Sequence, residues 1–323
     1  MQHADVIVVG GGPAGSTCAW KLRQSGVDVL VLDRSDFPRT KLCAGWITPQ
    51  VIDDLEFNVS DYPHSFLSFD RLELNWRGLR FSKKTIQHSI RRYEFDEYLL
   101  QRSHAPVQTH KVRSIESDGS RFVIDGLFSC GYLVGAGGTS CPVYRRFFHD
   151  RSPRAKDLQI ATYEHEFAYD WQDDECKLWF SQDGLPGYAW YVPKGRGYIN
   201  VGLGGKADAM KSRSLRLQDH WDRFVKNLEQ RGLVTGANYD PSGYSYYLRG
   251  RVDSARIGNV FIIGDAVGLA SKDLGEGIGP AVRSAILAAR AIVENSEYSL
   301  KDVEGYSVAG FIQQRILKRA ASL

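Results

Sequence analysis

Cysteine is scarce and scattered in this chain. Five occur in 323 residues, Cys18, Cys43, Cys130, Cys141 and Cys176, and no two are spaced as C-x-x-C. An odd, unclustered set argues against a disulfide scaffold and suits a reducing compartment, so the cytoplasm is the expected location. Neither an H-E-x-x-H nor a paired Cys/His spacing is present, which leaves no case for a metal. Long apolar runs are missing too. The uncharged stretch Gly126 to Tyr144 is broken by five glycines and Pro142, whereas a membrane span needs about 20 mainly apolar residues. The first residues lead straight into a strand-like run, with no room for a signal peptide ahead of it. Neither charge is in large excess: 41 Lys and Arg against 38 Asp and Glu give +3. No basic block interleaved with aromatics points to nucleic acid. What remains is ordinary globular composition, 43% hydrophobic and 24% charged, in enough chain for one large or two modest domains.

Glycine, by contrast, is placed with purpose. Gly10-Gly11-Gly12-Pro13-Ala14-Gly15 follows the apolar run Asp5 to Val9 and precedes a helix-like stretch, Ala14 to Gly26. Gly10 allows a tight turn, Gly12 lets backbone approach a pyrophosphate, and Gly15 packs helix on strand. The helix N-terminus then offers free N–H groups to the phosphates. Asp33 lies eighteen residues past Gly15, at the end of Val27 to Leu32, where its carboxylate can accept from a ribose. Strand, glycines, helix and acid together define a dinucleotide site.

A second segment identifies the dinucleotide. Asn259 to Ile263 is a short apolar run ending in Gly264-Asp265-Ala266, followed by Gly275-Glu276-Gly277-Ile278 and the helical stretch Val282 to Val293. Asp265 can hold ribityl hydroxyls, and the helix N–H groups can face the pyrimidine end of a flavin. NAD needs no such second anchor, so FAD is the expected cofactor. Glu276 reads equally as a partner of the helix dipole or as an active-site group.

At this point the chain resembles the FAD-dependent oxidoreductases with the para-hydroxybenzoate hydroxylase fold. The likeness rests on Gly10 to Gly15 with Asp33-Arg34, on Arg92-Tyr93-Glu94-Phe95-Asp96-Glu97-Tyr98-Leu99, and on Gly264-Asp265 with Gly275 to Ile278. The resemblance implies that Arg92 lies along the cofactor. Where relatives carry a D-A-D-G turn, this chain has Gly135-Ala136-Gly137-Gly138, whose backbone alone can serve. Two further stretches are similar to the geranylgeranyl reductase family: Pro38-Arg39-Thr40-Lys41-Leu42-Cys43-Ala44-Gly45, and Tyr188-Ala189-Trp190-Tyr191-Val192-Pro193 with Asn200-Val201-Gly202. That resemblance places Cys43 beside the flavin, as a proton donor, a wall or a space-filling thiol. Trp190 and Tyr188 alternate on one strand face and become either core or a wall of an apolar substrate pocket. The cofactor-binding set is then Gly10, Gly12, Pro13, Ala14, Gly15, Asp33, Arg34, Lys41, Cys43, Ala44, Arg92, Val112, Gly135, Gly264, Asp265, Gly275, Gly277 and Ile278.

The expected fold is α/β: a Rossmann-like FAD-binding domain with an inserted antiparallel-sheet substrate domain. Alternation at Leu72, Leu74 and Trp76 marks a half-buried strand. Lys111 to Ile115 and Arg121 to Ile124 read as paired strands around Ser117-Asp118-Gly119. Ile160–Phe167, Glu175–Phe180, Tyr188–Pro193 and Tyr198–Leu203 are four further strands, with Lys194-Gly195-Arg196-Gly197 a plain hairpin turn. Ser214 to Arg231 is an amphipathic helix. The cofactor domain is thus discontinuous, 1–65, 87–157 and 251–323, and the substrate domain is 66–86 and 158–250.

The resemblance implies an FAD-dependent enzyme in which reduced flavin delivers hydride to a C=C bond of an apolar substrate, a prenyl chain among the options. Two alternatives stay open: an FAD-dependent monooxygenase acting on an aromatic small molecule or a protein side chain, and a non-catalytic flavin-binding electron-transfer or maturation partner. The electron donor stays open between NAD(P)H and a partner reductant protein. The C-terminal Arg315-Ile316-Leu317-Lys318-Arg319 suits either a peripheral membrane contact or an ordinary terminal helix.

Overall fold

A computed structural model describes residues 1–305 other than Arg77 and Ser120. In chain order the main elements are β1 Gln2–Val9, α1 Pro13–Gln24, β2 Val29–Asp33, β3 Trp46–Ile47, α2 Pro49–Asp54, β4 Phe66–Trp76, β5 Leu79–Ile90, α3 Arg92–Arg102, β6 Val107–Thr109, β7 Ile115–Ser117, β8 Phe122–Ile124, β9 Phe128–Gly135 and α4 Pro142–Phe147. They continue as β10 Gln159–Ala168, β11 Cys176–Phe180, β12 Gly187–Lys194, β13 Tyr198–Lys206, α5 Ala207–Ser212, α6 Leu217–Gln230, β14 Ser242–Tyr247, β15 Arg256–Ile257, β16 Val260–Ile262 and α7 Ile278–Val293. Two compact units result, each discontinuous in sequence.

The first unit comprises Met1–Asp36, Leu99–Arg154 and the chain from Tyr247. Its sheet runs β15-β16-β9-β1-β2-β6, with β7 and β8 appended beside β9. The path from β16 to β6 is parallel throughout. Parallel strands covered on both faces read as continuous apolar runs, and the five residues of β2, Val-Leu-Val-Leu-Asp, are all buried. Ile7, Leu30, Leu32, Leu133 and Ile262 form the centre of its core.

The second unit comprises Phe37–Tyr98 and Ala155–Tyr246. Its sheet runs β14-β10-β13-β12-β11-β4-β5-β3. The β4–β11 pairing is parallel, and the pairings β10–β13, β13–β12, β12–β11, β4–β5 and β5–β3 are antiparallel. On one face Trp179, Tyr191, Val201 and Leu203 pack against Trp221, Phe224 and Leu228 of α6. Those three helix positions are spaced three and four apart, the period that keeps one stripe on the sheet.

The unit boundaries differ from those expected. Residues 37–65 and 87–98 fall in the second unit, not with the cofactor domain. The reason is local: Trp46 and Ile47 pair with Ser89 and His88, and Lys194 ties Ala44 to Ile90. The strand expected from Lys111 starts only at Ile115, and the helix expected from Ser214 starts at Leu217, after a separate α5. Arg315 to Arg319 lie outside the described residues. Among the described residues no helix is long and apolar enough to cross a membrane.

Candidate functional site

The first unit builds a cradle from backbone. Gly10 closes β1 at φ +114°, and a Cβ there would lie 2.4 Å from the Ala136 carbonyl oxygen. At Gly15 a Cβ would lie 1.8 Å from the Gly10 carbonyl oxygen. Only glycine permits this closeness of loop, strand and helix. Pro13 and Ala14 open α1, whose N-terminus has no side-chain cap and no acid in its first turn. Its amides are thus available to an anion. Asp33 is buried, and its carboxylate accepts from Gly11 N–H at 2.7 Å and from Ser35 N–H at 3.0 Å. A carboxylate at this position is of the type that accepts from ribose hydroxyls.

The second anchor converges on the first. Gly264 adopts φ +59°, and its missing Cβ would sit 3.0 Å from the Ala14 methyl and 3.3 Å from the Ala281 methyl. Ala14 opens α1 and Ala281 lies in the first turn of α7, so both helix N-termini meet at Gly264. Ser284 Oγ fixes the loop by accepting from Gly264 N–H at 3.0 Å. Asp265 Oδ1 lies 3.4 Å from the Cβ position of Gly277, the residue that precedes Ile278 at the start of α7. Gly275 turns the intervening loop at φ +63°. Glu276 caps this helix, accepting from Gly279 N–H at 2.8 Å. Burial pushes its carboxyl up to about 7. Asp265 near the amide end of α7 and Asp33 near the amide end of α1 form the donor and acceptor set that FAD requires, and the residues present fit it.

Three of the expected cofactor residues in this unit have plainer places. Gly135 makes room for Val143, Cys141 and Ile262, which would lie 2.8–3.1 Å from a Cβ. Val112 is a core residue, and Arg34 is exposed.

The second unit collects the rest of the expected set. Cys43 is half-buried, and its sulfur accepts from Gly45 N–H at 3.4 Å. Arg92 is buried near Cys43 and binds Asp96 bidentately at 2.6 and 2.8 Å. Lys41 Nζ stands 3.2 Å over the Tyr244 ring. Ala44 offers its carbonyl to Lys194 Nζ at 2.5 Å.

Trp190 and Tyr188 lie on the sheet face opposite α6. Cross-strand pairing sets Glu164, Gly202, Trp190 and Leu178 in one row, and Thr162, Gly204, Tyr188 and Phe180 in the next. Paired residues share a face, so these rows form an apolar floor with Glu164 at its edge. Gly202 is required there: a Cβ would lie 2.3 Å from the Trp190 indole. The indole N–H donates to Asn200 Oδ1 at 2.7 Å, and Asn200 Nδ2 donates to Glu164 at 3.2 Å. Burial pushes the Glu164 carboxyl up to about 7, against the pull of Asn200, Lys41 and Lys194. The group therefore keeps its proton to higher pH than an exposed glutamate does.

Sequence reasoning missed Glu164, Asn200 and Lys194 as site residues. The signal for Glu164 was present: Thr162, Glu164 and Glu166 alternate as polar residues along a strand whose neighbours are aromatic and glycine. Lys194 is more than part of a turn. It is fully buried, donates to the carbonyls of Ala44 and Ile90, and sits 3.8 Å from Glu166.

Comparison with known proteins fits this geometry. Residues 5–103 match the FAD dependent oxidoreductase family, and residues 157–238 match the geranylgeranyl reductase catalytic domain. These matches support an FAD-dependent oxidoreductase. The segment similar to the geranylgeranyl reductase catalytic domain lies in the second unit. A menaquinone reductase of Mycobacterium tuberculosis is 28% identical, over 90% of this chain and 77% of that protein. Digeranylgeranylglycerophospholipid reductase 3 of Methanosphaera stadtmanae is 25% identical, over 99% of this chain and 85% of that protein. The solved structure of a geranylgeranyl bacteriochlorophyll reductase-like protein from Thermoplasma acidophilum superposes with a TM-score of 0.79 at 20% identity, over 98% of this chain and 84% of that one. The latter likeness establishes the fold.

Proposed function

We propose that this flavoenzyme reduces a C=C bond in an apolar, isoprenoid-bearing substrate. The observation that carries the reading is the apolar floor of Tyr188, Trp190, Phe180 and Leu178 with the protonatable Glu164 at its edge. An alkene offers such a floor no charge and few hydrogen-bond acceptors, so binding comes from apolar area. Saturating the bond takes a hydride at one carbon and a proton at the other. FAD, when bound and reduced, would supply that hydride and the electron pair it carries. Glu164 holds the proton on its carboxyl and gives it up as the second carbon gains electron density. Asn200 keeps that carboxyl in place and, through the Trp190 indole N–H, ties it to the floor. The names of the reductase relatives favour a menaquinone or a geranylgeranyl lipid as the substrate class.

The test is anaerobic. Chemically reduced holoprotein mixed with a menaquinone or a geranylgeranyl lipid should regain the oxidised-flavin absorbance and yield product with one fewer double bond. Glu164→Gln should slow this by about 100-fold, within the range of general acid contributions, and abolish its fall above neutral pH. If reduced flavin is inert to both substrates yet consumes oxygen with hydroxylation of an aromatic compound, the protein is a monooxygenase and this reading fails.

A further inference from the structure

We infer that the β4–β5 hairpin docks this protein onto an anionic lipid bilayer. Large apolar side chains are exposed at ten described positions, and four of the ten, Trp76, Leu79, Phe81 and Ile86, fall within this one hairpin. They are 47%, 58%, 49% and 62% exposed. Soluble surfaces scatter such residues singly, and a cluster of this kind marks an interaction site. Pairing fixes their direction. Trp76 is opposite Leu79 and Leu74 is opposite Phe81, so one face of the ribbon is apolar toward its tip, with Lys83 opposite Leu72 farther in. Asn75 is opposite Arg80 and Arg71 is opposite Lys84, so the other face is polar and basic.

Charge selects the occupant. Residues 70–86 hold five Arg and Lys against two acids, Asp70 and Glu73. Glu73 is buried and engaged by Lys177 at 3.1 Å; Arg80, whose side chain is 68% exposed, shares that carboxylate, and Glu175 lies 3.9 Å from Arg71 and 4.0 Å from Arg80, so the cationic excess of the ribbon rests mainly on Lys83 and Lys84. A ribbon with aromatic and aliphatic groups on one side and cations on the other is the side-chain arrangement of an interfacial membrane element. Its apolar groups enter the headgroup boundary, and the long cations reach lipid phosphates. The apolar face is also continuous with the floor of the candidate site. Phe180 pairs with Trp76, and Leu178 with Leu74, across the parallel β11–β4 junction. From Tyr188 to Leu79 the row crosses three strand spacings, roughly 14 Å. An apolar molecule leaving a bilayer at the hairpin would thus meet one unbroken apolar surface. That last step rests on the proposed function, but the docking does not.

Full-length holoprotein should float with vesicles of phosphatidylcholine and phosphatidylglycerol and float poorly with phosphatidylcholine alone. Leu79→Ser/Phe81→Ser/Ile86→Ser should lower the partition coefficient about tenfold or more. Lys83→Gln/Lys84→Gln should lower it about tenfold on anionic vesicles, and this pair serves even if the triple variant misfolds. Brominated lipid should quench wild-type fluorescence more than that of Trp76→Phe. The proposal is overturned if wild type fails to float, or if both variants retain flavin and bind as wild type does. It is overturned as well if the patch proves to join two copies of the chain, seen as a dimer that the triple variant dissolves. None of these readouts uses turnover, so they stand or fall apart from the reductase reading.

Discussion

The two units solve different problems with different materials. The first unit makes its cradle by leaving side chains out. Gly10, Gly15 and Gly264 are positions where a single methyl would strike backbone or a neighbouring methyl within 3.0 Å or less. The second unit makes its floor by putting side chains in, and joins Trp190, Asn200 and Glu164 through two hydrogen bonds across three strands. A backbone cradle tolerates almost no substitution and reads one ligand class. A side-chain floor can be rebuilt residue by residue, which is how one fold serves many substrates.

The sharpest way to break this comparison is Gly15→Ala. The new methyl would lie 1.8 Å from the Gly10 carbonyl oxygen, a backbone atom in the middle of the cradle. The expected cost is about 3 kcal/mol or more, together with loss of the flavin from purified protein. Gly26→Ala is the matched control: it has φ +78° and no atom within 4 Å of the Cβ position, so only backbone strain of about 1 kcal/mol is expected. If both variants keep their flavin and melt alike, the cradle is not built by exclusion.

Next in size is Lys194→Met. The ammonium is fully buried and serves two carbonyls, those of Ala44 and Ile90. Burial pulls its pKa down, opposed by Glu166 and its neighbours. Methionine matches the stem but strands both acceptors, at about 2–4 kcal/mol in denaturant melts. A smaller loss would show that Ala44 and Ile90 are held by the β3–β5 pairing alone.

These two variants also separate what could be read in the sequence from what could not. Gly10 to Gly15, Asp33 and Gly264-Asp265 were legible because a backbone cradle needs glycine at fixed spacing, and spacing along the chain is what a sequence displays. The strands of the second sheet were legible from alternation at Leu72, Leu74 and Trp76. Lys194 was not, because its partners lie 150 and 104 residues away in sequence, and at the end of a hairpin strand a lysine reads as a solvated turn residue. Asn200 stood inside a recognisable stretch, yet its two partners depend on the register of β10, β13 and β12. That residues 37–65 cluster with the second sheet was hidden for the same reason: β3 is two residues long and owes its place to pairing with β5.

Gly202→Ala asks whether the units are independent. Its methyl would lie 2.3 Å from the indole and 2.7 Å from the Glu164 Cβ. The indole must shift, and the Trp190–Asn200 bond opens. The expected cost is about 1–3 kcal/mol, with altered tryptophan emission and slower substrate reduction but undiminished flavin content. Loss of flavin here would mean that the floor also supports the cradle.

The smallest effect is a slope. Each unit buries one carboxyl whose pKa burial pushes up to about 7, Glu276 in the first and Glu164 in the second. An ordinary glutamate titrates near 4.5, so between that pH and about 7 the folded protein holds protons that the unfolded chain has released. Stability from these groups is therefore complete below the unfolded value, falls as pH rises through the window, and is level above it. Melting temperature should follow that course in wild type, and either glutamine variant should flatten part of it. The two must then diverge in activity. Glu276 accepts a single helix amide, which a glutamine carbonyl accepts as well, so Glu276→Gln should change the melting profile and leave the pH–rate profile of alkene reduction as it was. Glu164→Gln should change both if, as proposed, its proton also belongs to the reaction. If the rate profile moves with Glu276 instead, the acid of this enzyme sits at the helix that holds the flavin and not on the floor that holds the substrate.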